Sequence, residues 1–262
     1  MSYNKEDMAL IFQTHFHESV VSINEIKAGA MTFKYEVGLP KQKYIIKIYP
    51  PSRAFVASKE FYILSKAAAH PIKIPRVCFT GTAKDCSYLI YEKIPGRVLN
   101  FSLLGSKDKE LISAQIVENL SGLRRVRFEG YGSLTEDEPL FETWEAFLSH
   151  NIEHGINNLI NAGVLDNIEV TAIHSYLQHC MESLSDSPYG MVWSDMSEEN
   201  IIIRNRELAG FIDFEGCFYG DQLLSLGYLF AREGESDFFT HIEKQLLPIS
   251  IQKKSTFIFM HF

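Results

Sequence analysis

Residues Met191–Leu226 read MVWSDMSEENIIIRNRELAGFIDFEGCFYGDQLLSL. Asn200 follows Asp195 by five positions, and Asp213 follows Asn200 by thirteen. Two apolar runs, Ile201–Ile203 and Leu208–Ile212, flank the polar, turn-prone Arg204-Asn205-Arg206-Glu207. Apolar runs around such a turn predict a short hairpin. It would bring Asn200 at its entrance close to Asp213 at its exit, with Asp195 on the loop just before. Oxygen ligands for a divalent cation, plus one carboxylate placed to accept a hydroxyl proton, are the parts that phosphoryl transfer needs.

The D-x-x-x-x-N of Asp195–Asn200 followed by Ile212-Asp213-Phe214 resembles the catalytic and metal-binding segments of kinases. The spacing is most similar to that of the aminoglycoside phosphotransferase and choline kinase-like family of small-molecule kinases, whose pattern is H-G-D-x-x-x-x-N, I-D-[WF], then G-D-P. Here Trp193-Ser194 stand at the His-Gly positions, Gln222 follows Gly220-Asp221, and Ser225 occupies the place of the family's second aspartate. The resemblance implies an α+β, bilobal, protein-kinase-like fold: an N-terminal antiparallel sheet with one helix, then a mostly helical C-terminal lobe. It implies Asp195 as catalytic base, Asn200 and Asp213 as magnesium ligands, and ATP as phosphoryl donor. Asp221 would brace the catalytic loop or cap the following helix, and does no chemistry in either case.

The frame upstream is consistent with that resemblance. Val21–Pro50 alternates like a three-stranded meander. Its first turn, Ile26-Lys27-Ala28-Gly29-Ala30-Met31-Thr32, sits where a kinase nucleotide loop belongs but carries a single glycine. Small residues and Thr32 could still bring backbone N–H groups to phosphates. The third strand, Tyr44–Tyr49, places Lys47 in a β-branched and aromatic run similar to V-A-I-K, whose lysine holds the α- and β-phosphates. Arg53–Ala69 reads as the next helix, with Glu60 as partner for Lys47 on a face that Lys59 and Lys66 mark as partly exposed. Two strands, Arg76–Thr80 and Ser87–Glu92, turn through Gly81–Cys86 and run into Ile94-Pro95-Gly96. This stretch resembles the family's inter-lobe linker, which places adenine against the main chain of Glu92 to Ile94. The expected division is therefore residues 1–94 and 95–262.

Downstream, Lys107–Leu123, Phe141–Ala162 and Ile168–Leu184 carry helical apolar spacing, and their aromatics are expected to be core. Leu223–Arg232 reads as a further helix with Asp221 near its start. The tail ends in the apolar FIFMHF; family members generally continue further, so a short or truncated member is expected. His15 and His17 form an H-x-H with no third ligand in view, which reads as a surface or capping pair.

Composition narrows the remaining classes. The chain has 262 residues and 46% hydrophobic content, enough for one large domain or two lobes. No apolar run approaches the ~20 residues that span a bilayer, and the first ten residues lack the shape of a signal peptide. Cys78, Cys86, Cys180 and Cys217 show no metal spacing, as expected of thiols in a reducing cytosol. Residues 1–94 carry a net +5 and residues 95–262 a net −13. A basic front half suits a polyanionic nucleotide, and an acidic back half suits a cationic acceptor such as an aminoglycoside or amino sugar. No nucleic-acid or membrane partner is expected, and oligomeric state stays open. The competing class is a pseudokinase that binds nucleotide without transfer, favoured by Trp193-Ser194 and the glycine-poor loop. A protein kinase fits less well: Ile212-Asp213-Phe214-Glu215-Gly216 is not D-F-G, and no A-P-E follows.

Overall fold

The computed structural model describes residues 5–27, 31–135, 140–181, 189–222 and 224–250. Helix α1 (Lys5–Phe16) leads into strands β1 (Ser22–Ile26), β2 (Phe33–Gly38) and β3 (Lys43–Tyr49). Helix α2 (Ala54–Ala67) follows, then β4 (Val77–Ala83) and β5 (Cys86–Glu92). These strands form one antiparallel sheet in the order β1-β2-β3-β5-β4. The β4–β5 turn is tighter than Gly81–Cys86, because Lys84 and Asp85 both adopt positive φ and reverse the chain within two residues.

Side chains alternate across a strand, and β3 uses both faces. Tyr44, Ile46 and Ile48 pack with Met8, Ile11 and Phe12 of α1. Ile45 and Tyr49 pack with Val56 and Ala57 of α2. Lys47 shares the α2 face by parity, so a cation is carried into an otherwise apolar layer. In α2 the buried positions are Val56, Ala57, Lys59, Glu60, Ile63, Leu64 and Ala67. Glu60 thus lies inside the buried stripe, and the expected partial exposure of its face is corrected. Of the expected surface pair, His17 is exposed, whereas His15 is half-buried, stacking on Phe79 at 4.3 Å and hydrogen-bonding the Tyr88 hydroxyl at 2.7 Å.

The remainder is mostly helical. It comprises β6 (Arg97–Val98), α3 (Ser106–Leu123), α4 (Trp144–Asn161), α5 (Asn167–Met181), β7 (Tyr189–Val192), β8 (Ile201–Arg204), β9 (Glu207–Phe211), β10 (Phe218–Asp221), α6 (Leu224–Glu233) and α7 (Asp237–Ser250). The hairpin expected around 204–207 forms, with Asn205 and Arg206 both at positive φ as a tight two-residue turn requires. Strand β6 adds to its β8 edge, and the chain reaches that edge through Gly96 at φ +150°. A Cβ there would lie 2.4 Å from the Ile203 carbonyl oxygen, so only glycine permits the approach. The central core unites α3, α6, α7 and this hairpin around Ile116, Leu120, Phe211, Phe214 and Trp193.

Several sequence expectations are corrected here. Asp221 ends β10 and is buried, three residues ahead of α6. Helix α7 was not foreseen. Trp144 and Ile156 of α4 are buried, but Leu159 and Ile160 are exposed, as is Ile168 of α5, so the apolar faces outrun the core. The expectation about the tail falls on 251–262, outside the described residues. Among the described helices, none is long and apolar enough to cross a membrane.

Candidate active site

Three elements converge beneath the sheet. Lys47 Nζ from β3 lies 2.8 and 3.1 Å from the two carboxylate oxygens of Glu60 on α2, with both side chains 1% exposed. The same ammonium lies 3.0 Å from Asp213 Oδ1, on the segment leaving β9. Glu60 accepts two further bonds, from the Tyr49 hydroxyl at 2.5 Å and the Phe214 N–H at 3.1 Å. Every carboxylate oxygen of Glu60 is therefore engaged, which a charge this deep requires.

Burial alone would lower the Lys47 pKa. The Glu60, Tyr49 and Asp213 groups around it outweigh that and hold the ammonium well above its ordinary range. Burial likewise pushes the Asp213 carboxyl up, but Lys47 and Lys34 prevail and bring it down to about 2. Lys34 Nζ reaches Asp213 Oδ2 at 3.0 Å from β2, so each oxygen of that carboxylate faces one lysine. Asp213 also sits at φ +65°. A non-glycine residue held there costs of order 1 kcal/mol or more, and such residues cluster at active sites.

The Asp195 loop carries the remaining polar groups. The Asn200 amide donates to Asp195 Oδ2 at 2.7 Å and to the Asp195 carbonyl at 2.9 Å. Those bonds turn its Nδ2 toward Asp195 and free its carbonyl oxygen. The Ile212 N–H donates to the Asn200 main-chain carbonyl at 2.9 Å, tying the hairpin's entrance to the segment that carries Asp213. Asp195 Oδ1 is paired with Arg232 of α6, an exposed contact.

The departures from the family pattern acquire structural roles. Trp193 is fully buried, stacks on Phe211 at 4.3 Å, and donates its indole N–H to the Asp213 carbonyl at 3.0 Å. Its own main-chain N–H donates to the Ser225 hydroxyl at 2.9 Å. Ser194 keeps an ordinary negative φ, and its hydroxyl donates to the Gly216 carbonyl at 2.8 Å. Nothing at that position demands glycine.

Other expected residues are placed as follows. The Glu92 side chain pairs with Arg76 at the surface. In the main chain, the Glu92 N–H is taken by the Arg76 carbonyl and the Lys93 N–H by the Lys43 carbonyl. Ile94 N–H has no main-chain partner among the described residues. Thr32 is half-buried at a bend ahead of β2, and the adjoining 28–30 lie outside the described residues. Ser197 is buried and Glu198 accepts the Phe101 N–H at 2.6 Å, so most of the 197–199 stretch is structural.

Sequence reasoning missed Lys34, Tyr49, Arg53, Glu215 and Arg232. Tyr49 carries a signal, since it lies two positions from Lys47 on the same strand face. Lys34 becomes visible only once the β2–β3 register is known. Glu215 pairs with Arg53 at 3.0 Å, and its second oxygen is buried without a partner. Burial pushes the Glu215 carboxyl up in pKa, with Asp213 and Glu60 adding to the effect and Lys47 and Arg53 opposing it. Carboxylate oxygens of Glu60, Asp213 and Glu215 lie within 4.8 Å of one another. Such an all-oxygen donor set is of the kind hard divalent cations take.

A five-stranded sheet with one inward helix, a buried Lys–Glu pair and a helical part carrying the Asp195 loop define a bilobal, protein-kinase-like phosphotransferase fold. Residues 22–247 match the model of the phosphotransferase enzyme family, and the chain belongs to that family. It is accordingly a phosphotransferase with an alcohol group as acceptor. No curated protein sequence matches it.

Solved structures agree on the fold. A thermostable mutant of aminoglycoside phosphotransferase APH(4)-Ia, in ternary complex with AMP-PNP and hygromycin B, superposes with a TM-score of 0.72 at 13% identity, covering 94% of this chain and 83% of that one. The gentamicin complex of APH(2")-IIa gives 0.70 at 17% identity, covering 98% and 85%. ADP-bound APH(2'')-Ib gives 0.70 at 17% identity, covering 97% and 86%.

Proposed function

We propose that this chain is a small-molecule kinase that moves the γ-phosphoryl of ATP to a hydroxyl of a small cationic acceptor, of aminoglycoside or amino-sugar type, in the cytosol. The observation that carries this is the buried Lys47–Glu60 pair joined to Asp213, on a segment that the Ile212 N–H ties to Asn200 of the Asp195–Asn200 loop. A lysine immobilised by a buried carboxylate stabilises phosphate charge without reorganising. The family membership and the nucleotide complexes of the similar structures support ATP as donor.

In this proposal the lobes divide between residues 94 and 95, with adenine against the main chain of Glu92 and Ile94 and phosphates toward Thr32 and Lys47. The Ile94 N–H, without a main-chain partner among the described residues, supports the adenine assignment. Asp213 and the Asn200 side-chain oxygen would hold Mg²⁺, which when bound neutralises charge on the transferring phosphoryl group. Asp195 orients the acceptor hydroxyl and takes its proton as the bond from that oxygen to phosphorus forms, while the bond to the bridging oxygen breaks and ADP leaves. Asn200 fixes the Asp195 carboxylate for this task through the 2.7 Å bond. The acidic residues 95–262 favour a cationic acceptor.

The Arg232 contact on Asp195 is a structural observation that favours a pseudokinase. Arg232 is 47% exposed, and exposed pairs contribute at most about 1 kcal/mol. An ammonium-bearing acceptor can therefore displace it.

The test is Mg²⁺-dependent ADP release across hydroxylated amines, amino sugars and macrolides, wild type against Asp195→Asn. Acceptor-stimulated turnover should fall by roughly 10²–10⁴-fold in the variant, with AMP-PNP affinity retained. A variant that keeps most of its turnover would dismiss Asp195 as base. A wild type that binds Mg·AMP-PNP yet never turns over would favour the pseudokinase.

A further inference from the structure

Lys34 and Lys47 are direct cross-strand partners in the β2–β3 ladder, and both project from the α2 face of the sheet. Like charges directly opposite one another are destabilising. Here the opposition is relieved by one carboxylate, because Asp213 places Oδ1 on Lys47 and Oδ2 on Lys34, each at 3.0 Å. The two ammoniums differ in what else they have. Lys47 also holds Glu60, whereas Asp213 is the only ion-pair partner of Lys34 among the described residues. Lys34 is also the more open, 18% exposed against 1%, so it lies on the side that a ligand enters.

We propose that Lys34 is a second phosphate-binding cation of this site, one that parks on Asp213 when nucleotide is absent and transfers to the phosphate chain when it arrives. The proposal rests on the kinase function above. Once the Asp213 oxygens turn to a divalent cation, Lys34 loses that partner while still opposite Lys47, and a polyphosphate is the ligand that satisfies both. The turn preceding β2, residues 26–32, has one glycine and so few places where backbone can close on phosphate. A side-chain ammonium two residues beyond that turn supplies the positive charge that a glycine-rich loop would deliver through N–H groups. Asp213 is shielded meanwhile, so its negative charge does not repel the incoming phosphates.

The experiment compares the full-length wild type with Lys34→Met, Lys34→Gln and Lys34→Arg. Dissociation constants are measured calorimetrically for AMP-PNP and for adenosine, each with Mg²⁺. A charge-assisted bond to phosphate corresponds to roughly a 10- to 100-fold effect on affinity. Lys34→Met and Lys34→Gln should each weaken AMP-PNP by about that factor and leave adenosine unchanged. Lys34→Arg should recover most of the loss. Equal weakening of AMP-PNP and adenosine would make Lys34 a structural residue and overturn the proposal. So would wild-type AMP-PNP affinity in either neutral variant, with the kinase function standing. A wild type that binds no AMP-PNP would remove the kinase function and this inference together.

Discussion

Glu60→Ala tests the buried centre most directly. The substitution strips Lys47 of a carboxylate at 2.8 Å, in a site where both side chains are 1% exposed. It also leaves the Tyr49 hydroxyl and the Phe214 N–H without their acceptor. Breaking a buried ion pair from one side costs about 3–5 kcal/mol, because the surviving charge stays desolvated. Asp213 remains 3.0 Å from Lys47 and partly compensates, which favours the lower end, about 3 kcal/mol. For a chain of this size each kcal/mol lowers Tm by roughly 2–4 °C, so a drop of about 6–12 °C is expected. Glu60→Gln keeps an acceptor for both neighbours and should fall less. Thermal melts followed by circular dichroism at neutral pH read both. If Glu60→Ala melts within about 2 °C of wild type, Lys47 is not desolvated there and the reasoning fails.

Asp213 makes stability sensitive to acid. Its pKa is held near 2, below the ordinary 3.8, so its contribution is complete above pH 4 and is lost as pH falls through about 2. That contribution is roughly 2 kcal/mol. Urea unfolding between pH 5 and pH 2 should show Asp213→Asn losing less stability on acidification than wild type; equal losses would contradict the assignment. Gly220→Ala would place a methyl 2.1 Å from the Trp144 ring, itself buried. Overpacking of this kind costs about 1–3 kcal/mol, and an unchanged melting temperature would show that Gly220 of β10 does not pack against Trp144 of α4, which also stacks on Phe218 of β10.

Periodicity and turn chemistry made most of this fold readable in advance. The 204–207 turn announces the β8–β9 hairpin, and the strand parity of β3 sends Lys47 to the α2 side. The depth of Glu60 was missed because Lys59 suggested solvent, whereas Lys59 is itself only 9% exposed. Spacing in the chain says nothing about partners distant in sequence: Arg232 meets Asp195 across 37 residues, and Lys34 meets Asp213 across 179. Strand β10, which ends at Asp221, was not foreseen because it pairs with β7 and bridges Gly132, partners distant in sequence with no turn signal to reveal them.

Trp193 adds an optical property to the site. The chain has two tryptophans, and this one is sealed between Phe211 and Phe214 with its indole N–H on the Asp213 carbonyl. Indole emission responds to the electric field along the ring. Any change in the charge held by Asp213 is thus registered a few ångströms away by a fluorophore shielded from water. In its packed frame this protein carries its own spectroscopic reporter, readable without a label and on the timescale of mixing.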